Sequence, residues 1–274
     1  MPTSYRYHTE DIILTITLLA IGFVVLFITG ATFFTGLFFV TVLMGFSIFQ
    51  IYQQHNALRK QPYPLSLKTL NQMTVLLEES RAAMGMDRVE LLVAKSDVLN
   101  AYAFGLLPPR TIVLHSALVE AMDAEELHFI IGHELGHIHL GHTTLNTIVG
   151  GLAGTPGNVW VSMLLRTILR AWSRACEYSA DRAGLLACGN PEKAVTALLK
   201  TAAGGKAQTT SDLAATYRKL QAQDGSFGSE LSEMLSTHPQ TFNRIQQIQK
   251  WAQSKTYRKL RDQMTAKKEW SAQA

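Results

Sequence analysis

The chain has 274 residues, 47% of them hydrophobic and 17% charged, with two cysteines and a formal net charge of +4. That length accommodates one catalytic domain of ordinary size plus an appendage, and the absence of low-complexity segments or internal repeats excludes fibrous and solenoid classes. So modest a charge makes nucleic acid the weakest class of partner, and few cysteines agree with a reducing compartment.

Residues 12–51 carry no charged side chain. At 1.5 Å per residue, these ~40 residues make ~60 Å of helix, about twice the hydrocarbon thickness of a bilayer. Two passes are expected, about residues 12–29 and 33–51, turning at Thr29, Gly30, Ala31 and Thr32. A cleaved signal peptide fits less well, because a second apolar leg follows the first. Arg6 precedes the pair and Arg59, Lys60 and Lys68 follow it, so the positive-inside rule places both ends in the cytoplasm. Glu10 and Asp11 dilute that signal only slightly. Residues 1–60 therefore read as a multi-pass membrane anchor, with 61–274 as a cytoplasm-facing domain, most naturally at a bacterial inner membrane.

After a short linker, Gln61 to Pro64, the pattern from Leu65 to Met84 predicts a helix stopped by Gly85. Val89 to Ala94, Ala101 to Phe104 and Thr111 to Leu114 read as short strands. The fold class is α+β, mostly helical, with a small sheet.

Asp123 and Glu126 form a capping-box pattern ahead of an apolar run, so a helix starts near Ala124. It carries His133, Glu134, Leu135, Gly136 and His137, and the fourfold spacing puts both imidazoles on one face. Two such histidines are half of a zinc site, and Glu134 is placed to take a proton from metal-activated water. A third protein ligand is needed. His139 and His142 lie about 240° and about 180° around the helix from His133, so neither joins from one straight helix. The metzincin spacing is also absent. Glu177 is the better candidate: with Asp181 four residues on, a second helix offers two carboxylates, one for metal and one to accept the free N–H of a ligating histidine. An ordinary surface ion-pair network with Arg174 is the competing reading.

Thr143 to Leu165 is uncharged but broken by Gly150, Gly151, Gly154, Pro156 and Gly157, which suggests a hinged lid, a membrane-surface element or core packing. Asn190 and Pro191 announce a helix to about Thr201, with loops at 202–211 and 224–228. His238 and Arg244 are candidate donors to a tetrahedral intermediate, or else structural groups. Cys176 and Cys188 would lie about 18 Å apart on one helix, beyond disulfide reach, and read as buried thiols. The basic residues Lys250, Lys255, Arg258, Lys259, Arg261, Lys267 and Lys268 read as a solvated helical face, with lipid headgroups as the second choice.

Taken in order, Asn100-Ala-Tyr-Ala-Phe-Gly105, His133-Glu-Leu-Gly-His137, Glu177 with Ala180 and Asp181, and Thr237-His-Pro239 with Arg244 resemble the HtpX type of membrane-associated zinc peptidase, a gluzincin. The resemblance covers about residues 65–250 and implies a zincin-like domain. It implies Zn2+ held by His133, His137 and Glu177, with Glu134 as catalytic base and Asp181 behind a ligand. It also implies a substrate-binding strand made of Asn100, Ala101, Tyr102, Ala103, Phe104 and Gly105. Protein or peptide substrates, membrane proteins above all, would be the partners beside the bilayer. HtpX proteins place transmembrane passes between the two metal-bearing helices, and here the chain departs from them. Only ~34 residues separate His142 from Glu177, too few for two passes, and one pass would part the ligands. The opposing reading is a zinc-stabilised membrane scaffold that binds unfolded segments, but a merely structural site has no need of Glu134.

Overall fold

Aliphatic and β-branched residues crowd 89–94 and 110–115, and these segments become the first and third strands of a small mixed sheet. The computed structural model describes residues 4–31, 35–60, 63–105, 108–145, 159–204, 209–223 and 241–273. In it β1 (Val89–Ala94) runs parallel to β3 (Arg110–His115), with Val89 opposite Arg110. On the other side of β3, β2 (Ala101–Phe104) runs antiparallel, with Ala101 opposite Leu114. β3 is therefore central, and its Ile112, Val113 and Leu114 are buried. β2 is an edge strand. The linker passes the opposite edge, where Tyr63 N–H donates to the Val93 carbonyl at 3.4 Å.

Around the sheet lie α1 (Glu10–Ala31), α2 (Thr35–Lys60), α3 (Leu67–Met84), α4 (Ser116–Ala121), α5 (Ala124–His139), α6 (Val159–Cys188), α7 (Pro191–Ala202), α8 (Thr210–Gln223), α9 (Thr241–Ala252) and α10 (Lys255–Gln273). Local chemistry sets several of these ends. Ser66 Oγ accepts from Thr69 N–H to open α3, and Gly85 closes it. Asp123 accepts from the Glu125 and Glu126 amides while Glu126 Oε2 accepts from Asp123 N–H at 2.9 Å, the reciprocal cap expected of that pattern. Asn190 accepts from Glu192 and Lys193 ahead of Pro191 in the same way.

Three sequence expectations change. The first leg does not turn at Thr29: α1 continues through Ala31, because Thr29 Oγ1 donates to the Val25 carbonyl and so satisfies itself inside the helix. The uncharged stretch from Thr143 gives way to helix at Val159, where α6 begins, while its glycines lie outside the described residues. Nor is the basic tail simply solvated. Arg261 Nη1 donates to the Leu186 carbonyl at 2.7 Å, near the C-terminus of α6, and Tyr257, Leu260 and Met264 are buried beneath it.

One helix among the described residues is long and apolar enough to cross a membrane, through Glu10–Phe27. Its Leu19, Phe23 and Leu26 are 70%, 71% and 73% exposed, an arrangement that water does not favour. Residues just ahead of it behave differently. Tyr5 is fully buried in the same core as Phe129, Leu135 and Leu185 and so ties the segment before α1 to the domain's interior.

The domain is organised about the pairing of α5 with α6, in which Phe129, Ile131 and Leu135 of α5 are buried. Gly132 and Gly136 face α6 so closely that an added β-carbon would lie 2.4 Å from Ala187 Cβ and 2.6 Å from Ala183 Cβ. The expected outcome for Gly132→Ala is a loss of about 1–3 kcal/mol through overpacking, read as a thermal midpoint lowered by several degrees. Gly22→Ala, where nothing lies within 4 Å, is the control and leaves the midpoint in place or slightly raises it. Equal midpoints for both variants would contradict so close an approach.

Candidate active site

His133 and His137 are one helical turn apart on α5, and their Nε2 atoms come within 3.1 Å. From α6, Glu177 Oε2 lies 3.6 Å from His133 Nε2 and Oε1 lies 3.5 Å from His137 Nε2. Donors about 2.0–2.1 Å from one tetrahedral ion stand about 3.4 Å apart, so these side chains are gathered at a spacing that suits zinc or a similar borderline cation. Glu134 is buried on the same turn, and all four line one cavity of ≈ 520 Å³. The cavity's far wall is the β2 edge and the residues leading into it, among them Asn100, Ala101, Tyr102 and Ala103. Phe104 and Gly105 continue the chain beyond the lining residues.

A second layer holds the imidazoles. His133 Nδ1–H donates to Asp181 Oδ1 at 3.0 Å. Arg244, from α9, donates to both oxygens of Asp181 at 2.8 and 2.6 Å, and its Nη1 lies 3.0 Å from Glu177 Oε2. His137 Nδ1 meets His142 Nδ1 at 3.0 Å, and His142 Nε2 lies 2.8 Å from Glu10 Oε1.

His142 thus departs from the extrapolation of a straight helix. α5 ends at His139, Leu140 caps it, and Gly141 takes φ +80°, a left-handed turn that swings His142 back beside His137. His139 goes elsewhere and meets the Tyr5 hydroxyl at 2.7 Å. Glu10, which reaches this cluster through His142, is not singled out by the sequence. Its signal was a carboxylate placed at the border of an apolar run, which the topology rule discounts. His238 lies outside the described residues.

Burial pushes the Glu134 carboxyl above its ordinary range, partly offset by the neighbouring imidazoles of His133 and His137. Burial also opposes charge on Glu177, but Arg244 and the two histidines outweigh it and hold that carboxyl well below the usual range. Asp181 is lowered against its own burial, again by Arg244 and then His133. His137 is raised: burial disfavours its cation, yet the hydrogen bond and charge of Glu177 prevail.

Two imidazoles and a carboxylate converging beside a second, proton-hungry carboxylate are the chemistry of a metallopeptidase. Residues 68–252 match peptidase family M48, and the chain belongs to that family. Over 212 residues it is 28% identical to the plastoglobule-localized metallopeptidase 48 of Arabidopsis thaliana, covering 72% of this chain and 61% of that relative, so it spans about three fifths of the relative's length. It is 27% identical to the protease HtpX homolog of Gemmatimonas aurantiaca over 204 residues, 64% of this chain and 73% of that one. Against the homolog from Pyrococcus furiosus the identity is 26% over 219 residues, covering 65% and 72% respectively. Within the family, the resemblance is to the HtpX type of membrane metallopeptidase. The crystal structure of S. mikatae Ste24p aligns with 88% of this chain and 66% of its own, at a TM-score of 0.44 and 17% identity.

Asp181→Ala strips His133 of its acceptor and Arg244 of two bonds, so metal affinity is expected to fall by about 10- to 100-fold in chelator competition. An unchanged affinity would make Asp181 irrelevant to metal. Acidity acts on the imidazoles. Because the ion-free His137 takes a proton more readily than an ordinary histidine while Glu177 stays ionised, metal affinity should decline as pH falls from about 8 to about 6. A flat profile over that interval would oppose His137 as a ligand.

Proposed function

We propose that this chain is a membrane-anchored zinc endopeptidase, with one ion held by His133, His137 and Glu177 and with Glu134 as catalytic base. The observation that carries this reading is the convergence of three donor groups, His133 and His137 Nε2 3.1 Å apart and each within 3.6 Å of a carboxylate oxygen of Glu177, set beside a buried Glu134 in one cavity. Two histidines and a glutamate form a known catalytic donor set that leaves a position open. Zinc, when bound, supplies Lewis acidity that polarises a carbonyl and acidifies water. Glu134, raised by burial, removes the proton of the attacking water and delivers it to the departing amine. Its burial keeps bulk water from competing for that proton.

A peptide would lie in extended form along β2, because an edge strand offers main-chain groups that accept many sequences. Arg244 serves to set the two carboxylates. Its Nε, Nη1 and Nη2 are all engaged with Asp181 or Glu177, which favours a structural part over contact with the intermediate.

The anchor is read as a hairpin of α1 and α2, with the catalytic domain facing the cytoplasm. Support comes from both ends of the pair. Ahead of α1, Arg182 Nη1 donates to the Tyr5 and Arg6 carbonyls at 3.2 and 3.1 Å, and at the end of α2 Arg59 pairs with Glu90 of β1. A hairpin tied at both feet to one domain has its bend on the far side. Damaged or misassembled membrane proteins are then the natural substrates, in keeping with the HtpX resemblance.

Glu134→Gln is expected to retain zinc while losing casein cleavage by about 100- to 10,000-fold. Undiminished turnover in that variant would end the mechanism. For topology, Gly30→Cys in a background of Cys176→Ser and Cys188→Ser should react with an impermeant thiol reagent outside intact cells. Ser66→Cys and Ser254→Cys should not. Labelling of Ser254→Cys without Gly30→Cys would invert the orientation.

A further inference from the structure

Besides the three proposed zinc ligands, another buried set of donors closes on itself: Glu10, His142 and Cys176, with one ligand atom from each lying within 4.8 Å of the others. By composition alone it resembles a second ion site. Its hydrogen bonds argue for a different role. A contact between two imidazole nitrogens needs one donor and one acceptor. If His137 gives its Nε2 lone pair to zinc, its Nδ1 carries the hydrogen and donates to His142 Nδ1, 3.0 Å away. His142 must then carry its own hydrogen on Nε2, where Glu10 Oε1 waits at 2.8 Å. No lone pair on His142 is left for a second ion.

The carboxylate at the end of this chain is itself fixed. Ser179 Oγ donates to Glu10 Oε2 and accepts from Tyr7 N–H at 2.7 Å, while Arg6 Nε stands 3.4 Å from Oε1. Trp172 closes the other flank, its ring perpendicular to His142 with centroids 6.0 Å apart. The two zinc-facing histidines are therefore held in different ways: His133 directly by Asp181, and His137 through a second imidazole by a residue from the far end of the sequence.

We propose that Glu10 and His142 form a hydrogen-bond relay that orients His137 and strengthens it as a metal ligand, an inference that rests on the zinc reading above. The first residue of the apolar helix α1 is thereby a positioning part of the metal site, and the seating of the anchor sets how firmly the ion is held.

The test uses the full-length protein in detergent, with zinc affinity measured by chelator competition and the visible absorption of the Co2+-substituted form as a report on the ligand field. Glu10→Gln and His142→Asn should each weaken zinc by about 10- to 100-fold and shift the Co2+ bands. The double variant should be no worse than the poorer single one, because both changes break one relay, whereas Glu10→Gln combined with Asp181→Ala should multiply. Cys176→Ser should leave affinity and a stoichiometry of one ion unchanged. Tyr5→Phe, which loosens the same segment through its contact with His139, should lower the unfolding midpoint without moving the bands. Parental affinity and spectrum in both Glu10→Gln and His142→Asn would overturn the relay. So would an equal band shift in Tyr5→Phe, or a second equivalent of zinc that vanishes in Cys176→Ser. Retention of zinc by His137→Ala would instead bring down the zinc assignment itself.

Discussion

Gly132 and Gly136 let α5 approach α6 until Ala183 and Ala187 occupy the space a side chain would need, and each proposed metal-facing histidine sits one residue beyond a glycine. A step of 100° carries His133 and His137 from the seam to its rim, on the side where α6 presents Glu177 and Asp181. Both imidazole contacts to Glu177 span about one tetrahedral edge, so they tolerate little change in helix separation. Small residues in the seam therefore set the reach of the functional side chains. Packing and chemistry share one interface, and the second cannot be tuned without the first.

Charge is the other organising element. Glu134, Glu177 and Asp181 lie together at the seam, with the guanidinium of Arg244 between two of them. Desolvation is costly for carboxylates gathered in this way and their mutual repulsion adds to it, so Glu134 rises while the two that touch Arg244 fall. On the zinc reading, a divalent cation supplies the remaining positive charge. The site then resembles a lattice of alternating signs, held by α5, α6 and α9.

Much of this was legible in the residues because it rests on local rules. The α5 start follows from Asp123 and Glu126, the α7 start from Asn190 and Pro191, and the shared face of His133 and His137 from helical periodicity. Glu177 and Asp181 could be singled out by the same spacing on α6. What could not be read depends on chain reversals and distant contacts. A left-handed Gly141 undoes the angular argument about His142, and Glu10 meets its partner 132 residues away. Thr29, polar and followed by glycine, looks like a turn until its hydroxyl finds the Val25 carbonyl. Periodicity has no access to any of these, since each is decided by a single torsion or by tertiary proximity.

The segment from Tyr5 to Glu10 is clasped by groups made much later on the ribosome. His139 and His142 follow it by 134 and 132 residues, and Ser179 and Arg182 follow by as many as 172 and 177. Until those groups are made the segment lacks them, and on the anchor reading α1 enters the bilayer with Arg6 as the charge beside its first carboxylate. The closing of the clasp is thus a late event in biogenesis, after α6 has emerged. On the anchor and relay readings, a hydrolase built this way stays incomplete while its own nascent chain is still exposed, and matures only once α1 and the domain have met.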